Sequence, residues 1–491
     1  MAMNNHPRVD GICVEACERD LVDTAGLAIL IKFISKTGFF KRCDDLLPHS
    51  KSNSAYPVST YVKTLFALCI LYPDSKAPLE RIDDIRASRA VRRSLGVRKI
   101  PTAKSVGDWL HRMANREVIG MSAEKIPQYG GYEDGIRRMQ GVHYELAGKV
   151  LLDMRRVVSN MLDFDACAIT GSKKCDVKMY TGERGTMSYL AFIDNICLMA
   201  ELEPGNHAPA DSIDKRVASC FEICRRHGFE ILQFRSDSAA YVGEVMNECY
   251  RRSITFYIRA DNDDAVKRAY STVDKWRKPK TDKPEPEPYE LGVTVHCMAT
   301  TKEAFSLVAK RQLVEKDASK QCTQCELEEL KNTDYKYISI ATNELVDDES
   351  EDAATSEMIL STYNKRGNME NRIKQLVSDT QAGRLPTSDM DANRIYFYIM
   401  ACLHNLMELF KYKCLDQSYQ KLRLPGLIRI VLRVPAVVVF HARRLYLRLP
   451  VYEKEAARIY QEILMKISSL KTMFSKGEKH PAFSEIIFRR E

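Results

Sequence analysis

Three acidic residues stand where a carboxylate could serve as a metal ligand. Asp165 lies within MLDFDACAIT (Met161 to Thr170), a run that reads as a strand, between Phe164 and Ala166. An unpaired carboxylate there is costly unless it meets a cation or hydrogen-bond donors. Strand alternation puts Asp163 on the same face. Asp237 follows the strand ILQFRSD, at the carboxyl end, where open α/β sheets set their sites. Glu370 falls in YNKRGNMENRIKQL, where Tyr363, Arg366, Glu370 and Lys374 are spaced three, four and four and share one helical face. Hard divalent cations such as Mg²⁺ take carboxylate oxygens. Two of them about 3.5–4 Å apart can activate an attacking oxygen and stabilise the leaving one in an in-line phosphoryl displacement. Taken singly, each acid reads more simply as solvated or salt-bridged, and Arg366–Glu370–Lys374 as an exposed ion-paired face. The combination of acids with cations and a phenol is what suits a phosphodiester.

The elements that must position these residues follow a readable order. After Met161–Thr170 come a Lys/Gly loop and two strand-like runs, Met187 to Asp194 and Ile196 to Glu203. An amphipathic helix from Asp211 to His227, a strand at Ile231 to Phe234, a helix from Val242 to Arg251 and a strand from Ile254 to Arg259 complete the unit. Three meandering strands followed by alternating helices and strands predict an α/β fold with an RNase H-like catalytic core. The stretch 261–354 interrupts it as a mostly β insertion. It carries a Pro/Lys/Glu linker (Lys278 to Pro288), strand-like runs and a solvated acidic loop (Asp347 to Asp352). Helices are expected over Thr355 to Thr380 and Asn393 to Lys411. Residues 1–150 read as a helical N-terminal domain. There Leu79 to Arg98 carries Arg81, Arg86, Arg89, Arg92, Arg93 and Arg98 ahead of the helix Ala103 to Asn115, a pattern that a helix-turn-helix or a solvated basic face would equally produce.

Composition narrows the field. The chain has 491 residues, 45% hydrophobic and 29% charged, an ordinary globular balance that excludes collagen-like and disordered classes. Lys+Arg exceeds Asp+Glu by 74 − 66 = 8. Between Lys411 and Pro450 nine Lys/Arg stand against the single acid Asp416, so this stretch alone matches the net charge and predicts a basic helical C-terminal region. No apolar run reaches the roughly 20 residues of a membrane span, and the start MAMNNHPRVD lacks a signal-peptide pattern. Fifteen scattered cysteines suit reduced thiols in a cytosolic protein. Cys322-x2-Cys325 has no second spaced pair, which leaves ordinary thiols ahead of zinc. His404, in IMACLHNLMEL, reads as a satisfied buried histidine. There is no P-loop, dinucleotide fingerprint or nucleophile elbow.

YNKRGNMENRIK resembles the signature helix of cut-and-paste DDE transposases of bacterial insertion sequences, Y-x2-R-x3-E-x6-K. The likeness extends over the helical start, the DFDAC strand, FRSDSAAY, the strand-rich insertion, GRLPTSDMDANRIYFYIMACLHNL and the basic HARRLYLRLP. It implies Asp165, Asp237 and Glu370 as catalytic metal ligands for two Mg²⁺ (Mn²⁺ substituting), with Cys167 in the place of the usual hydroxyl residue. Tyr363 and Arg366 match the phosphate-contacting pair and Lys374 the lysine one turn past the glutamate, whereas the final signature lysine falls on Val377. It further implies a base-stacking tryptophan in the insertion, for which Trp276 is the candidate, and backbone contacts from basic residues such as Arg92, Arg93, Arg443 and Arg444.

The expected organisation is a DNA-binding domain (1–150), a core in two parts (157–260 and 355–411), the insertion (261–354) and a basic C-terminal region (412–491). The expected partners are double-stranded DNA, as terminal inverted repeats and target, and a second copy in a synaptic homodimer, with no membrane and a cytoplasmic, nucleoid-associated location. The alternatives are a catalytically inactive DNA-binding regulator and a nuclease without strand transfer.

Overall fold

The computed structural model describes residues 19–50, 55–280, 288–313, 335–350 and 353–474, and the backbone of 8–9 and 12–13. Cys322 and Cys325 and most of the Pro/Lys/Glu linker lie outside the described residues. The chain divides into two units, the larger within Leu110–Leu409, the smaller within Met1–Trp109 and Phe410–Lys476.

The larger unit is built on a nine-stranded mixed sheet. β1 (Met161–Thr170), β2 (Arg184–Ile193) and β3 (Ile196–Pro204) form an antiparallel meander. On the other side of β1, β4 (Gln233–Ser236) and then β5 (Thr255–Arg259) run parallel to it. The strands of the insertion do not form a layer of their own. β6 (Tyr289–His296), β7 (Phe305–Leu313) and β8 (Tyr335–Thr342) continue antiparallel from β5 and lengthen the same sheet. A two-residue strand, Val177–Lys178, also pairs with β2.

Helices flank the sheet: α1 (Gly135–Met154), α2 (Ile213–Arg226), α3 (Gly243–Arg251), α4 (Asp264–Tyr270), α5 (Ser356–Asn364), α6 (Gly367–Lys374) and α7 (Met390–Cys414). Of α7, the residues up to Leu409 belong to this unit. Side-chain alternation sorts the faces. Phe234 of β4 meets Phe221 of α2 edge-on at 5.9 Å, while Asp163 and Arg235, one step away on β1 and β4, bond to the α5–α6 segment on the opposite face. On β3, which among the described residues pairs only with β2, Asn405 of α7 accepts from the Cys197 N–H and donates to its carbonyl, both at 2.8 Å, so a side-chain amide stands in for a further strand. His404 is buried with Nε2 2.7 Å from the Asn195 carbonyl oxygen, the satisfied histidine that the sequence suggests.

Several local expectations change. The acidic loop is not merely solvated. Asp348 accepts from the backbone N–H and hydroxyl of Ser356 at 2.6 and 2.8 Å, and Thr355 caps α5 by accepting from the Met358 N–H. Within the stretch read as helical, residues 117–121 and 127–130 pair as a hairpin.

In the smaller unit, helices Gly26–Thr37, Phe39–Leu46 and Val58–Leu71 surround an aromatic core in which Phe39 stacks on Phe66 at 6.2 Å. Leu79 to Arg98 is broken into a tight turn at Pro78–Arg81 and helices Ile82–Ala87 and Arg89–Leu95, because Ser88 starts a new helix by accepting from the Val91 N–H. The C-terminal region is not all helical. Ala436–His441 and Arg444–Arg448 form a hairpin on Leu21–Val22, ahead of the helix Lys454–Ser469. The β-branched run Val437-Val438-Val439 favours strand. The two-residue connection has Ala442 and Arg443 at φ 48° and 62°, the left-handed pair that tight hairpins require. No helix among the described residues is long and apolar enough to cross a membrane.

Buried on α1, His143 has its pKa pushed down to about 3 by burial. The unfolded chain takes up that proton near pH 6.5, so the stabilising effect of the neutral ring is complete above that pH. It fades as pH falls toward about 3, at roughly 1.4 kcal/mol per pH unit. His143→Leu is therefore expected to flatten the acid side of the stability profile, measured by urea unfolding at about pH 7 and about pH 5.

Candidate active site

The parallel pairing of β1 with β4 sets Arg235 beside Asp163 and Ser236 beside Phe164. One further step brings Asp237, just past the end of β4, alongside Asp165. Both aspartates then face the segment that carries α5 and α6. Asp165 accepts from the Ala166 N–H through Oδ1 at 2.9 Å. Asp237 accepts from the Ala239 N–H through Oδ1 at 3.1 Å, closing the tight turn Ser238–Ala240. Each keeps its other oxygen for one shared cation, since Arg366 Nη2 lies 2.7 Å from Asp165 Oδ2 and 3.4 Å from Asp237 Oδ2.

Burial pushes the Asp165 carboxyl up to about 6. Arg366 opposes that rise, while the nearby carboxylates of Asp237 and Glu370 add to it. Glu370, in the first turn of α6, is exposed. The three acids thus share a neighbourhood, but among the described residues no three or more His, Cys, Asp or Glu side chains close into a metal-holding group.

Beneath this layer lies a second one that the sequence reading passes over. Arg235 grips Asp163 with two nitrogens, Nε to Oδ1 at 2.6 Å and Nη2 to Oδ2 at 2.9 Å, and donates Nη1 to the Thr362 carbonyl. Arg372 of α6 donates to the same Asp163 carboxylate and, at 3.3 Å, to Asp194 in the β2–β3 turn. Asp163, Arg235 and Arg372 are all buried. A signal for this network does exist in the sequence. Asp163 and Arg235 each precede a site aspartate by two residues on a strand, and a charge buried on a strand demands an opposite partner.

The remaining candidates fall in varied settings. The Tyr363 hydroxyl is half-buried, its pKa raised by burial and lowered by Arg366 and Arg259, so Arg259 at the end of β5 is a further cation near the site. Lys374 is exposed. Val377, in the place of the signature lysine, lies in a wide helical turn, Gln375–Asp379, that extends α6. Trp276 is packed rather than free. Arg311 lies 4.2 Å over its ring, Tyr337 meets it at 5.9 Å, and a Cβ at Gly292 would come within 3.0 Å of it.

Of the basic residues in the N-terminal helices, Arg93 bonds to Asp20 and the Val438 carbonyl, Arg89 to Asp20, Arg81 to Asp84 and Arg86 to Asp83. Arg92 and Arg98 have no carboxylate partner among the described residues. Lys411, counted in the basic C-terminal stretch, is buried on the Leu422 carbonyl, whereas Arg443 and Arg444 are exposed at the hairpin tip.

The donor set fits a hard divalent cation. Two carboxylates each turn one oxygen toward the same point, where a positive group, Arg366 Nη2, already stands.

Removing the charge of Asp163 would leave two buried arginines facing each other. Asp163→Asn is expected to cost about 3–5 kcal/mol, measured as a fall in the urea midpoint. Asp165→Asn should stay within about 1 kcal/mol of the parent, because burial already disfavours that carboxylate.

No curated protein sequence matches the chain. Among solved structures, a cryo-EM structure of the piggyBac transposase synaptic complex with hairpin DNA shares 10% identity, covering 84% of this chain and 82% of that one, with a TM-score of 0.39. The sequence matches the family described as "Transposase DDE domain group 1" over residues 11–472, nearly its whole length, and on that match the chain belongs to the DDE transposases.

Proposed function

We propose that this protein is a DNA transposase that cuts phosphodiester bonds at the inverted repeats of its element and joins the freed 3′-hydroxyl to another strand. The observation that carries the reading is the convergence of Asp165 and Asp237, 72 positions apart in sequence, on one cation supplied by the α5–α6 segment that also bears Glu370. The strand order around β1, a three-stranded meander with two parallel strands beside it, supports an RNase H-like core.

Asp165, Asp237 and Glu370 would hold the metal, Mg²⁺ in two copies or Mn²⁺ in its place. When bound, such ions would supply Lewis-acid activation of an attacking oxygen and stabilisation of the leaving one. The protein's own side chains do the rest. Arg366, Lys374 and the Tyr363 hydroxyl hold the phosphates flanking the scissile bond, with Arg259 a further cation at the rim. Burial of the Asp163 network keeps both aspartates on one face. Arg92, Arg443 and Arg444 would contact the DNA backbone, and Trp276 would stack on a base once Arg311 lifts from its ring. Joining two ends requires a synaptic homodimer. The cytoplasm, at the nucleoid, is the matching location.

The test is Mg²⁺-dependent nicking of DNA carrying the inverted repeats that flank the reading frame. Asp237→Ala should abolish cleavage while DNA binding persists, and binding should weaken steeply as salt rises because phosphate contacts release counterions. Binding without cutting under any divalent ion would make the protein a regulator, and cutting without joined products a nuclease.

A further inference from the structure

We propose that Arg366 is the resting counter-ion of the Asp165–Asp237 pair, which an entering divalent cation must displace and which DNA phosphate draws away. This inference rests on the reading of the two aspartates as metal ligands.

The manner in which Arg366 is held carries the argument. Both of its contacts to the aspartates come from one nitrogen, Nη2, at 2.7 and 3.4 Å. Among the described residues its buried Nε–H has no hydrogen-bond partner. The same protein shows what a fixed arginine looks like. Arg235 meets Asp163 with two parallel hydrogen bonds and uses its third nitrogen on the Thr362 carbonyl. A guanidinium fork is strongest when two donors meet two acceptor oxygens. Arg366 forgoes that geometry and leaves a desolvated donor unsatisfied among the described residues, which is unfavourable. A phosphodiester, with two non-bridging oxygens, would satisfy Nε and Nη2 together.

The backbone permits the exchange. Arg366 sits at the junction of α5 and α6, where its own N–H bonds to the Tyr363 carbonyl at 2.8 Å. The side chain can therefore turn from carboxylate to phosphate without breaking either helix. Arg259 stands close enough to act with Arg366 on the Tyr363 hydroxyl, so a second positive charge is near for a phosphate to meet.

Electrostatics then makes metal and arginine competitors. A guanidinium and a divalent ion cannot share the space between two carboxylates without strong like-charge repulsion. Whatever moves Arg366 aside raises the affinity for metal, and by linkage metal raises the affinity for the phosphate that holds Arg366. In the absence of DNA the arginine keeps the two carboxylates paired and opposes metal entry, so the metal-loaded site is favoured only on substrate.

Calorimetric titration of Mn²⁺ into the DNA-free full chain tests this without reference to catalysis. Arg366→Gln is expected to bind Mn²⁺ roughly tenfold more tightly than the parent, and Arg366→Lys, which keeps the charge, to remain near it. Adding a short duplex of mixed sequence should narrow the gap between the parent and Arg366→Gln. Affinity in Arg366→Gln equal to or weaker than the parent's, with binding still abolished by Asp165→Asn, would overturn the displacement while leaving the metal reading intact. Tightening of the same size in Arg366→Lys would overturn it too, since charge would not be the cause. Mn²⁺ binding that is absent throughout, or indifferent to Asp165→Asn, would remove the metal reading itself.

Discussion

The buried carboxylate of Asp163 is the constraint on which the rest of the site depends. It lies on the central strand β1 and is claimed by Arg235 from β4 and Arg372 from α6, so one anion ties together the two strands and the helix that carry the three site acids. A charge this deeply desolvated is tolerated only with its partners in good geometry. Asp194 balances the second arginine from the β2–β3 turn. The spacing is regular: Asp163 precedes Asp165 by two residues, Arg235 precedes Asp237 by two, and Arg372 follows Glu370 by two. On a strand, two residues mean the same face and the next layer outward, about 6.6 Å along. On a helix, two residues mean a different face, which is why Arg372 is buried while Glu370 is exposed. Fixing the inner layer thereby fixes where the outer carboxylates can stand.

Two arginines from one helical segment therefore face two aspartates of one strand with opposite consequences. Arg372 helps to seal a buried inner layer, one nitrogen on Asp163 and another on Asp194. Arg366 leaves the outer layer open, with one nitrogen shared between two acids and another unsatisfied among the described residues. Rigidity below and exchangeability above are what a site needs if it must hold its ligands within a fraction of an ångström and still admit a cation. The raised pKa of Asp165 belongs to the same picture. Crowded carboxylates under burial resist ionisation until a positive group arrives, and Arg366 is the positive group at hand.

Much of this was legible in the sequence. The meander of β1 to β3, the strand ending at Asp237 and the helical spacing of Tyr363, Arg366, Glu370 and Lys374 follow from alternation and period alone, and the signature resemblance joined pieces that no local pattern could join. What escaped was decided by tertiary pairing. Helical spacing marks Arg366 as a neighbour of Glu370 and Lys374, whereas the structure turns it onto acids about 130 and 200 residues away, a preference that no i, i+4 argument weighs. The hairpin around Ala442 and Arg443 was hidden because its turn lacks the glycine or asparagine that announces such turns, and only the valine run hinted at it. The insertion read correctly as strands, but its pairing with β5, which makes it an extension of one sheet, depends on contacts far apart in the chain.

Net charge is the case in which counting residues misleads most. An excess of eight positive charges and a cluster of six arginines suggest a basic face. Four of those six share three aspartates, Arg81 with Asp84, Arg86 with Asp83, and Arg89 and Arg93 both with Asp20, so three of their four charges are balanced, and Lys411 is turned inward onto a carbonyl. A paired arginine offers little field to a distant phosphate, because its partner cancels it within the Debye length of about 8–10 Å. Much of the charge that reaches solvent is therefore carried by other residues. Arg443 and Arg444 stand exposed at a hairpin tip, with Arg448 farther along the same hairpin and Phe440 and Tyr446 exposed beside them. The smaller unit thus combines arginines committed to its own architecture with arginines left open to a polyanion, and the two sets are separated by which carboxylates the fold brings near, a distinction that composition does not contain.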